Sequence, residues 1–184
     1  IAVANTSNKV QIFDVATGKL HMTFPIQNWA TSVAISSDGK WLAAGSGNTN
    51  NQHTSGAVKI WNLNTGKSGV SLEEAFYLSV WDVAFSPDGK HLAAATGDYQ
   101  AGGSRRIAGE VVVWDVSTGI AKHRFRGHSS CVWNLSFIPD DKRLASSSGD
   151  LSGTRSPREV NIQYMNTGQL VGSLQEPRGG TTYA

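Results

Sequence analysis

The chain has 184 residues, of which 39% are apolar and 16% are charged, and its formal net charge is +2. This composition is typical of a globular protein, and so small a charge does not indicate a nucleic-acid partner. Cys131 is the only cysteine, which excludes an internal disulfide framework and a cysteine-rich zinc site. No apolar run approaches the roughly 18–20 residues of a membrane span, so we expect an intracellular protein, cytoplasmic or nuclear, without a membrane partner.

In chain order, the first predicted elements are a strand and a turn that recur along the sequence. The pattern is VQIFDVATG at residues 10–18, then VKIWNLNTG at 58–66, VVVWDVSTG at 111–119 and VNIQYMNTG at 160–168, at spacings of 48, 53 and 49 residues. Self-similarity at such a period is the signature of a repeat architecture. Because the third copy is apolar at successive positions, its strand is predicted to be buried on both faces.

A second motif lies between the copies of the first. It reads SVAISSDGKWLAAGSGN at 32–48, DVAFSPDGKHLAAATGD at 82–98 and NLSFIPDDKRLASSSGD at 134–150. Each copy predicts an apolar strand, a tight turn and a second strand rich in Ala and Ser. Within residues 86–89, Pro87 suits a type I turn and Gly89 accepts the positive φ that follows. The small side chains of the second strand predict that neighbouring sheets approach closely.

A fourth strand follows each Thr-Gly turn, at residues 19–24, 67–72, 120–125 and 169–174. Four antiparallel strands per unit of about 50 residues predict an all-β fold, a β-propeller with about four blades present, as part of a larger propeller. The predicted blades are an incomplete one at 1–25 and three complete ones at 31–74, 79–126 and 131–175, with residues 181–184 starting a further strand.

These repeated motifs resemble the WD-repeat β-propeller family from residue 1 to about residue 174. Trp114-Asp115 matches the dipeptide that names the family, whereas Gln163-Tyr164 departs from it. Gly127-His128 matches the Gly-His that precedes the first strand of a blade. The resemblance implies a non-catalytic scaffold for protein interactions.

The same resemblance implies a hydrogen-bonded set around His128. In the family such a histidine contacts a strand hydroxyl, an Asp in the following turn and the strand Trp. Here Ser146 or Ser148 and Asp150 match two of these partners, but Gln163 stands in the place of the Trp. A complete set is therefore not expected.

The two ends of the predicted arc need partners. Residues 1–4 align with residues 92–95, so the first blade is predicted to lack its first strand. Four blades of this width leave two blade faces uncovered, and both are predicted to be apolar. Exposed patches of that size indicate an interaction, so further blades or a second copy of the chain are expected to cover them.

No catalytic constellation is recognisable in the sequence. Gly66-Lys67-Ser68 resembles the end of a phosphate-binding loop, but Trp61 stands where that motif requires a glycine. The five histidines lie far apart without metal-ligand spacing. We therefore predict no enzyme activity, no cofactor and no metal. The alternative is a ligand-sensing or enzymatic propeller with its site at the central channel.

Long polar connections between the second and third strands of each blade are candidates for partner binding, since loops on rigid scaffolds carry function. Their arginines are predicted to share a face with tryptophans that lead into first strands, and Trp and Arg are enriched in interface hot spots. The alternative is that the tryptophans fill space between blades. Because Arg binds carboxylate and phosphate bidentately, the predicted partner is a protein or peptide, acidic or phosphorylated. The predicted site residues are Trp29, Trp81, Trp133, Tyr99, Arg105, Arg106, Arg155 and Arg158.

A basic run at residues 122–126 has two interpretations. It could bind an acidic partner, or its charges could protect the outermost strand of a blade from edge-to-edge pairing. The second interpretation is favoured because the run lies on a predicted fourth strand.

Overall fold

A computed structural model describes residues 1–5, 7–47, 56–70, 72, 78–97, 108–140, 142–149 and 158–175. In these ranges the regular structure consists of β-strands, which confirms the predicted all-β class. The first six strands are β1 (Ala2–Asn5), β2 (Lys9–Phe13), β3 (Leu20–Pro25), β4 (Trp29–Ile35), β5 (Trp41–Gly47) and β6 (Ala57–Asn62). The remaining strands are β7 (Ser79–Phe85), β8 (His91–Gly97), β9 (Val111–Asp115), β10 (Ala121–Phe125), β11 (Val132–Phe137), β12 (Arg143–Ser148), β13 (Glu159–Tyr164) and β14 (Leu170–Gln175).

The strands form four antiparallel sheets in chain order. Sheet 1 has the order β1-β2-β3, sheet 2 β4-β5-β6, sheet 3 β7-β8-β9-β10 in meander order, and sheet 4 β11-β12-β13-β14. The first strands of sheets 2, 3 and 4 contact one another in turn, so the sheets are arranged side by side around these inner strands. This is the blade architecture that the repeat predicts.

Two sheets have three strands among the described residues. Sheet 1 begins with the strand equivalent to the second strand of the others, as the alignment of its first residues predicts. In the described part of the predicted fourth strand of sheet 2, Ser68 forms an isolated bridge with Trp61, and Gly69 N donates to Ile60 O. Lys, Ser and Gly dominate this segment, and they favour strand pairing less than the β-branched and aromatic residues do.

The turns between first and second strands repeat the same hydrogen bonds. Ser36 Oγ donates to Asp38 Oδ1 at 2.6 Å, and the same carboxylate accepts the Lys40 amide at 3.0 Å. These bonds lower the pKa of Asp38 to about 2. The φ angle of Gly39 is 71° and that of Gly89 is 70°, so both glycines take the left-handed conformation that the sequence predicts for Gly89.

The core lies between the sheets rather than inside any one of them. Trp61 of sheet 2 is buried against Phe24 of sheet 1, with ring centroids 5.2 Å apart and planes at 34°. Trp114 of sheet 3 is fully buried in the cluster shared with Ile60 of sheet 2. The predicted position of both tryptophans between sheets is confirmed. A glycine allows the close approach of sheets 2 and 3, since a Cβ on Gly45 would lie 2.6 Å from Val80 Cγ1.

The basic run lies on β10, the outer strand of sheet 3. Arg124 pairs with Glu110, and Arg126 Nε donates to the same carboxylate at 2.9 Å. Both arginines are therefore paired with a carboxylate of their own sheet, at its outer edge. This geometry favours the protective interpretation of the run.

Candidate partner-binding face

The described ends of the connections into third strands lie beside the segments that lead into first strands. Gly56, which precedes β6, donates its amide to Leu78 O at 3.1 Å, and Gly109, which precedes β9, donates to Ser130 O at 2.9 Å. Leu78 and Ser130 lead into the first strands of the following sheets. These bonds place two kinds of segment on the same side of the sheets: the ends of the connections into third strands, and the segments that lead into first strands. We call this side the loop face.

Trp81 and Trp133 lie together on the loop face. Each occupies the extra position of a β-bulge, between Val80 and Asp82 in β7 and between Val132 and Asn134 in β11. A bulge redirects the side chain at the extra residue. The two indole rings are 5.1 Å apart between centroids, with planes at 50°, and both are partly exposed.

Hydrogen bonds fix the orientation of this tryptophan pair. Trp81 Nε1 donates to Gly97 O at 3.0 Å, and Trp133 Nε1 donates to Gly149 O at 2.8 Å. Each acceptor lies at or just beyond the end of the second strand in the same sheet. Because the polar edge of each indole is hydrogen-bonded to its own sheet, the apolar ring surface is left to contact the other indole.

Trp29 is not equivalent to this pair. The bulge position of sheet 2 is occupied by Thr31, whose hydroxyl donates to Val80 O at 2.6 Å. Trp29 pairs with Gly47, as Ser79 pairs with Gly97 in sheet 3. Trp29 thus occupies a strand position that holds a small residue in the next sheet.

Arg158 lines the same cleft as Trp133. It directly precedes β13, at the position that Gly56 and Gly109 occupy in sheets 2 and 3, and it is exposed. The cleft has a volume of about 540 Å³. Its lining residues are Trp133, Asn134, Ser147, Ser148, Gly149, Arg158, Glu159, Val160, Leu174 and Gln175. The structure therefore brings one predicted arginine next to one predicted tryptophan.

The other predicted site residues remain predictions. Tyr99, Arg105, Arg106 and Arg155 lie outside the described residues, as do residues 181–184. That they lie near Trp81 and Trp133 stays a prediction from the sequence.

A buried polar network surrounds His128, which lies just before β11, the first strand of sheet 4. His128 Nδ1 lies 3.0 Å from Glu159 Oε1, and its Nε2 lies 2.7 Å from Ser146 Oγ. A neutral imidazole protonated on Nδ1 satisfies both contacts, because it donates to Glu159 and accepts from Ser146. The same Glu159 oxygen accepts the Ser129 amide at 2.7 Å and the Ser148 hydroxyl at 2.9 Å.

This network differs from the set that the family resemblance implies. Glu159, the first residue of β13, is the carboxylate partner of His128, while Asp150 lies outside the described residues. The sequence analysis missed Glu159, although its equivalence to Glu110 in sheet 3 was a possible signal. The side chain of Gln163, in the place of the Trp, is buried, and its Oε1 has no hydrogen-bond partner among the described residues.

The arrangement of Ser146, His128 and Glu159 has the order of a nucleophile, base and carboxylate, but its burial makes it structural. Both the Ser146 and the His128 side chains are buried in the sheet interface. A nucleophile must reach a substrate carbonyl, and this hydroxyl is instead committed to the imidazole. Burial lowers the pKa of His128, although the contact with Glu159 opposes this effect. Burial raises the pKa of Glu159, but bonds from Ser129, Ser148 and His128 outweigh it and the net pKa is lowered.

Asp82 connects three sheets through one carboxylate. Its Oδ1 accepts the Ser32 hydroxyl of sheet 2 at 2.8 Å, and its Oδ2 accepts the Leu135 amide of sheet 4 at 2.8 Å. Sequence reasoning missed this role. The signal was present, because Ser32, Asp82 and Asn134 are equivalent polar positions at the start of the second repeated motif.

The described part of the chain has neither a metal site nor a membrane-spanning helix. Among its residues, no group of three or more His, Cys, Asp or Glu side chains is placed to hold a metal ion. No helix there is long and apolar enough to cross a membrane.

Repeated antiparallel sheets packed face to face around their first strands define a protein of the β-propeller class. The family model of the WD domain, G-beta repeat, matches residues 18–62, 72–101 and 119–152, which is more than half of the chain. The chain belongs to the WD-repeat family.

Similar proteins are longer than this chain. The WD repeat-containing protein SL1-17 of Schistosoma mansoni is 30% identical over 175 residues, which is 92% of this chain and 48% of that protein. The intraflagellar transport protein 122 homolog of Xenopus tropicalis is 35% identical over 74 residues, which is 40% of this chain and 5% of that protein. The chain thus spans about half the length of the first relative and a small part of the second.

Among solved structures, the chain is similar to one of hydrazine synthase from Kuenenia stuttgartiensis. The TM-score is 0.73 with 19% sequence identity, over 96% of this chain and 50% of that chain. At this identity the likeness shows the fold alone.

Proposed function

We propose that this protein is a non-catalytic interaction scaffold that binds protein partners on its loop face, around the mouth of the central channel. The proposal rests on the Trp81–Trp133 pair. Two adjacent indoles, partly exposed and held by hydrogen bonds to Gly97 and Gly149, form a rigid aromatic surface. Aromatic surfaces of this kind lose little conformational entropy when a partner covers them. The expected setting is intracellular, cytoplasmic or nuclear.

The partner that best fits this face is an acidic or phosphorylated protein segment. Arg158 and Trp133 line one cleft, so an apolar side chain and a positive charge lie side by side. Arg105, Arg106 and Arg155 belong by sequence to the same set of connections. Carboxylate and phosphate groups are the ligands that several guanidinium groups bind best.

A scaffold rather than an enzyme is supported by the chemistry of the buried network. The one nucleophile–base–carboxylate set that the described residues contain is enclosed between sheets 3 and 4, as Ser146 and His128 show. A reaction there would require the two sheets to separate. The protein's membership of the WD-repeat family agrees with a binding role.

The test measures peptide binding by the purified chain. An array of acidic peptides, with phosphorylated and uncharged versions of each, is probed with wild-type protein and with a variant in which the four arginines of the face are replaced. The substitutions are Arg105→Ala, Arg106→Ala, Arg155→Ala and Arg158→Ala. We expect binding to acidic or phosphorylated peptides to be lost while the midpoint of unfolding stays unchanged.

A charge-matched variant on the opposite side of the sheets controls for net charge. It replaces four lysines of the turns that lie away from the loop face: Lys19→Ala, Lys40→Ala, Lys90→Ala and Lys142→Ala. This variant should bind as the wild type does. If both variants bind equally well, the loop face is not the site; if Trp81→Ala leaves binding intact, the tryptophan pair takes no part in it.

A further inference from the structure

The segment that joins sheets 3 and 4 carries an exposed serine. Residues 126–131 connect β10 to β11 without regular structure, and Ser129 is exposed. Its Oγ lies 3.3 Å from Glu159 Oε1, which is long for a bond between a hydroxyl and a carboxylate. The hydroxyl is therefore held weakly, although the Ser129 amide donates to the same oxygen at 2.7 Å.

Two arginines precede this serine at fixed distances. Arg126 stands three positions before Ser129, and Arg124 stands five positions before it. The Arg126 side chain is 74% exposed and that of Arg124 is 29% exposed. Phe125 and His128, which lie between these positions, are buried. The segment thus exposes both guanidinium groups and the serine while its apolar ring and its imidazole face the interior.

This combination occurs once in the chain. No other Ser or Thr has arginines at both positions. Ser146 has Arg143 three positions before it, but Asp141 stands five positions before it. Ser146 is also buried, and its Oγ lies 2.7 Å from His128 Nε2. Ser146 is therefore a natural comparison for Ser129, similar in part of its sequence and opposite in its exposure.

We propose that Ser129 is a phosphorylation site for a protein kinase that selects arginine at these two positions. Guanidinium groups at a fixed spacing from a hydroxyl form a charge pattern that carboxylates of a kinase groove can bind. In the free protein both arginines pair with Glu110. Ion pairs near the surface contribute little to stability, so carboxylates of the enzyme can replace Glu110.

The reaction needs only the kinase and Mg-ATP. The γ-phosphoryl group is transferred to Ser129 Oγ, the bond between the γ-phosphorus and the bridging oxygen breaks, and ADP leaves. The hydroxyl proton passes to the catalytic aspartate of the kinase. The proposal does not depend on whether the loop face binds a partner.

The new phosphate lies beside a buried carboxylate. It carries about −1.5 to −2 charges at pH 7, and the Glu159 side chain, which accepts the bond from Ser129, is only 4% exposed. Like charges repel more strongly where water is excluded. Because Glu159 also contacts His128 and Ser148, we expect phosphorylation to weaken the network that joins this segment to β13.

The first test is phosphorylation of the folded 184-residue chain by a purified kinase of this class, with the site located by mass spectrometry. Wild type should take up about one phosphate per chain, on Ser129, and Ser129→Ala should lose this modification. Arg126→Gln should lower the rate by about tenfold or more, because a charge-assisted contact to the kinase is lost. Lys122→Gln is the matched control, since it removes a positive charge from the same strand, and its rate should equal that of wild type.

Two peptides separate the effect of sequence from that of exposure. The peptide of residues 120–133 contains Ser129, and the peptide of residues 139–150 contains Ser146. Both should accept phosphate as free peptides, the second more slowly, whereas in the folded chain only Ser129 should do so. The proposal fails if Ser129 of the folded chain stays unmodified, if Ser146 or Ser130 is modified equally fast, or if Lys122→Gln slows the reaction as much as Arg126→Gln does.

The second test compares the melting temperature before and after phosphorylation. Modified wild type should melt at a lower temperature. In Glu159→Gln the same modification should lower the melting temperature less, because the opposing charge is gone. Glu110→Gln is the control, since it removes the carboxylate at the equivalent position of sheet 3 and should leave the effect of the phosphate unchanged. A melting temperature that phosphorylation of wild type leaves unchanged or raises would overturn the predicted conflict with Glu159.

Discussion

Trp114 is the largest fully buried side chain, and it is enclosed by residues of two sheets. Replacing it by Ala removes this contact area and leaves a cavity between sheets 2 and 3. We expect Trp114→Ala to lower the free energy of unfolding by about 3–5 kcal/mol. Denaturant titration measures the loss. Trp81→Ala is the control, because Trp81 is partly exposed and its removal should cost less; an equal loss would contradict the burial argument.

His128 makes stability depend on pH. Its folded-state pKa is lowered by burial from the ordinary value of 6.5, so below that value the unfolded chain binds a proton that the folded chain does not. Stability is therefore complete above about pH 6.5 and falls as the pH drops toward the lowered pKa. The lowered pKa of Glu159 acts in the same direction at more acidic pH, because its protonation would remove the acceptor of the network.

The measurement is the melting temperature between pH 7.5 and 5.5. Wild type should melt at lower temperature as the pH falls, and His128→Gln should show a shallower dependence, although it is less stable at pH 7.5. Some dependence will remain, because burial also lowers the pKa of His123. His21→Gln, at an exposed position of β3, is the control. A wild-type slope that His128→Gln leaves unchanged would show that this imidazole does not couple to folding.

At the scale of elements, the close approach of sheets depends on glycines where connections meet first strands. A Cβ on Gly109 would lie 2.1 Å from Thr96 O and 2.6 Å from Val132 N, both backbone atoms. We expect Gly109→Ala to destabilise the protein by about 1–3 kcal/mol, as overpacking does. Gly172→Ala on β14 is the matched control, since nothing lies within 4 Å of its added Cβ. Equal stability of the two variants would contradict the interpretation.

The repeat explains why the strands were predictable and parts of the site were not. The patterns around Val111 and Trp114 place a strand and its buried aromatic, since neighbouring sheets cover both faces of the strand. The Trp81–Trp133 contact depends in addition on a bulge in each first strand, and Trp29 shows that a tryptophan two positions away occupies a different strand position. The spacing of tryptophans in the sequence does not show where a bulge shifts the register of a strand.

Glu159 illustrates a second limit. The resemblance directed attention to Asp150, whereas the contact to His128 comes from the first residue of β13. The Glu side chain is longer than that of Asp and reaches the imidazole from a different backbone position. The expected carboxylate is therefore supplied by another place in the sequence. Motif matching identifies the residue types of a network more easily than the strand that supplies them.

At the scale of the whole molecule, the Asp82 carboxylate has a consequence for how the sheets unfold. In a repeat protein whose neighbouring units are joined by separate pairwise contacts, the units can unfold one by one from the ends. Here one side chain of sheet 3 accepts hydrogen bonds from Ser32 in sheet 2 and from the Leu135 amide in sheet 4. The same carboxylate therefore connects all three sheets. We expect the Leu135 amide to exchange with deuterium only in the same rare event that releases the core amides of β9, and Asp82→Ala to let sheet 4 exchange independently.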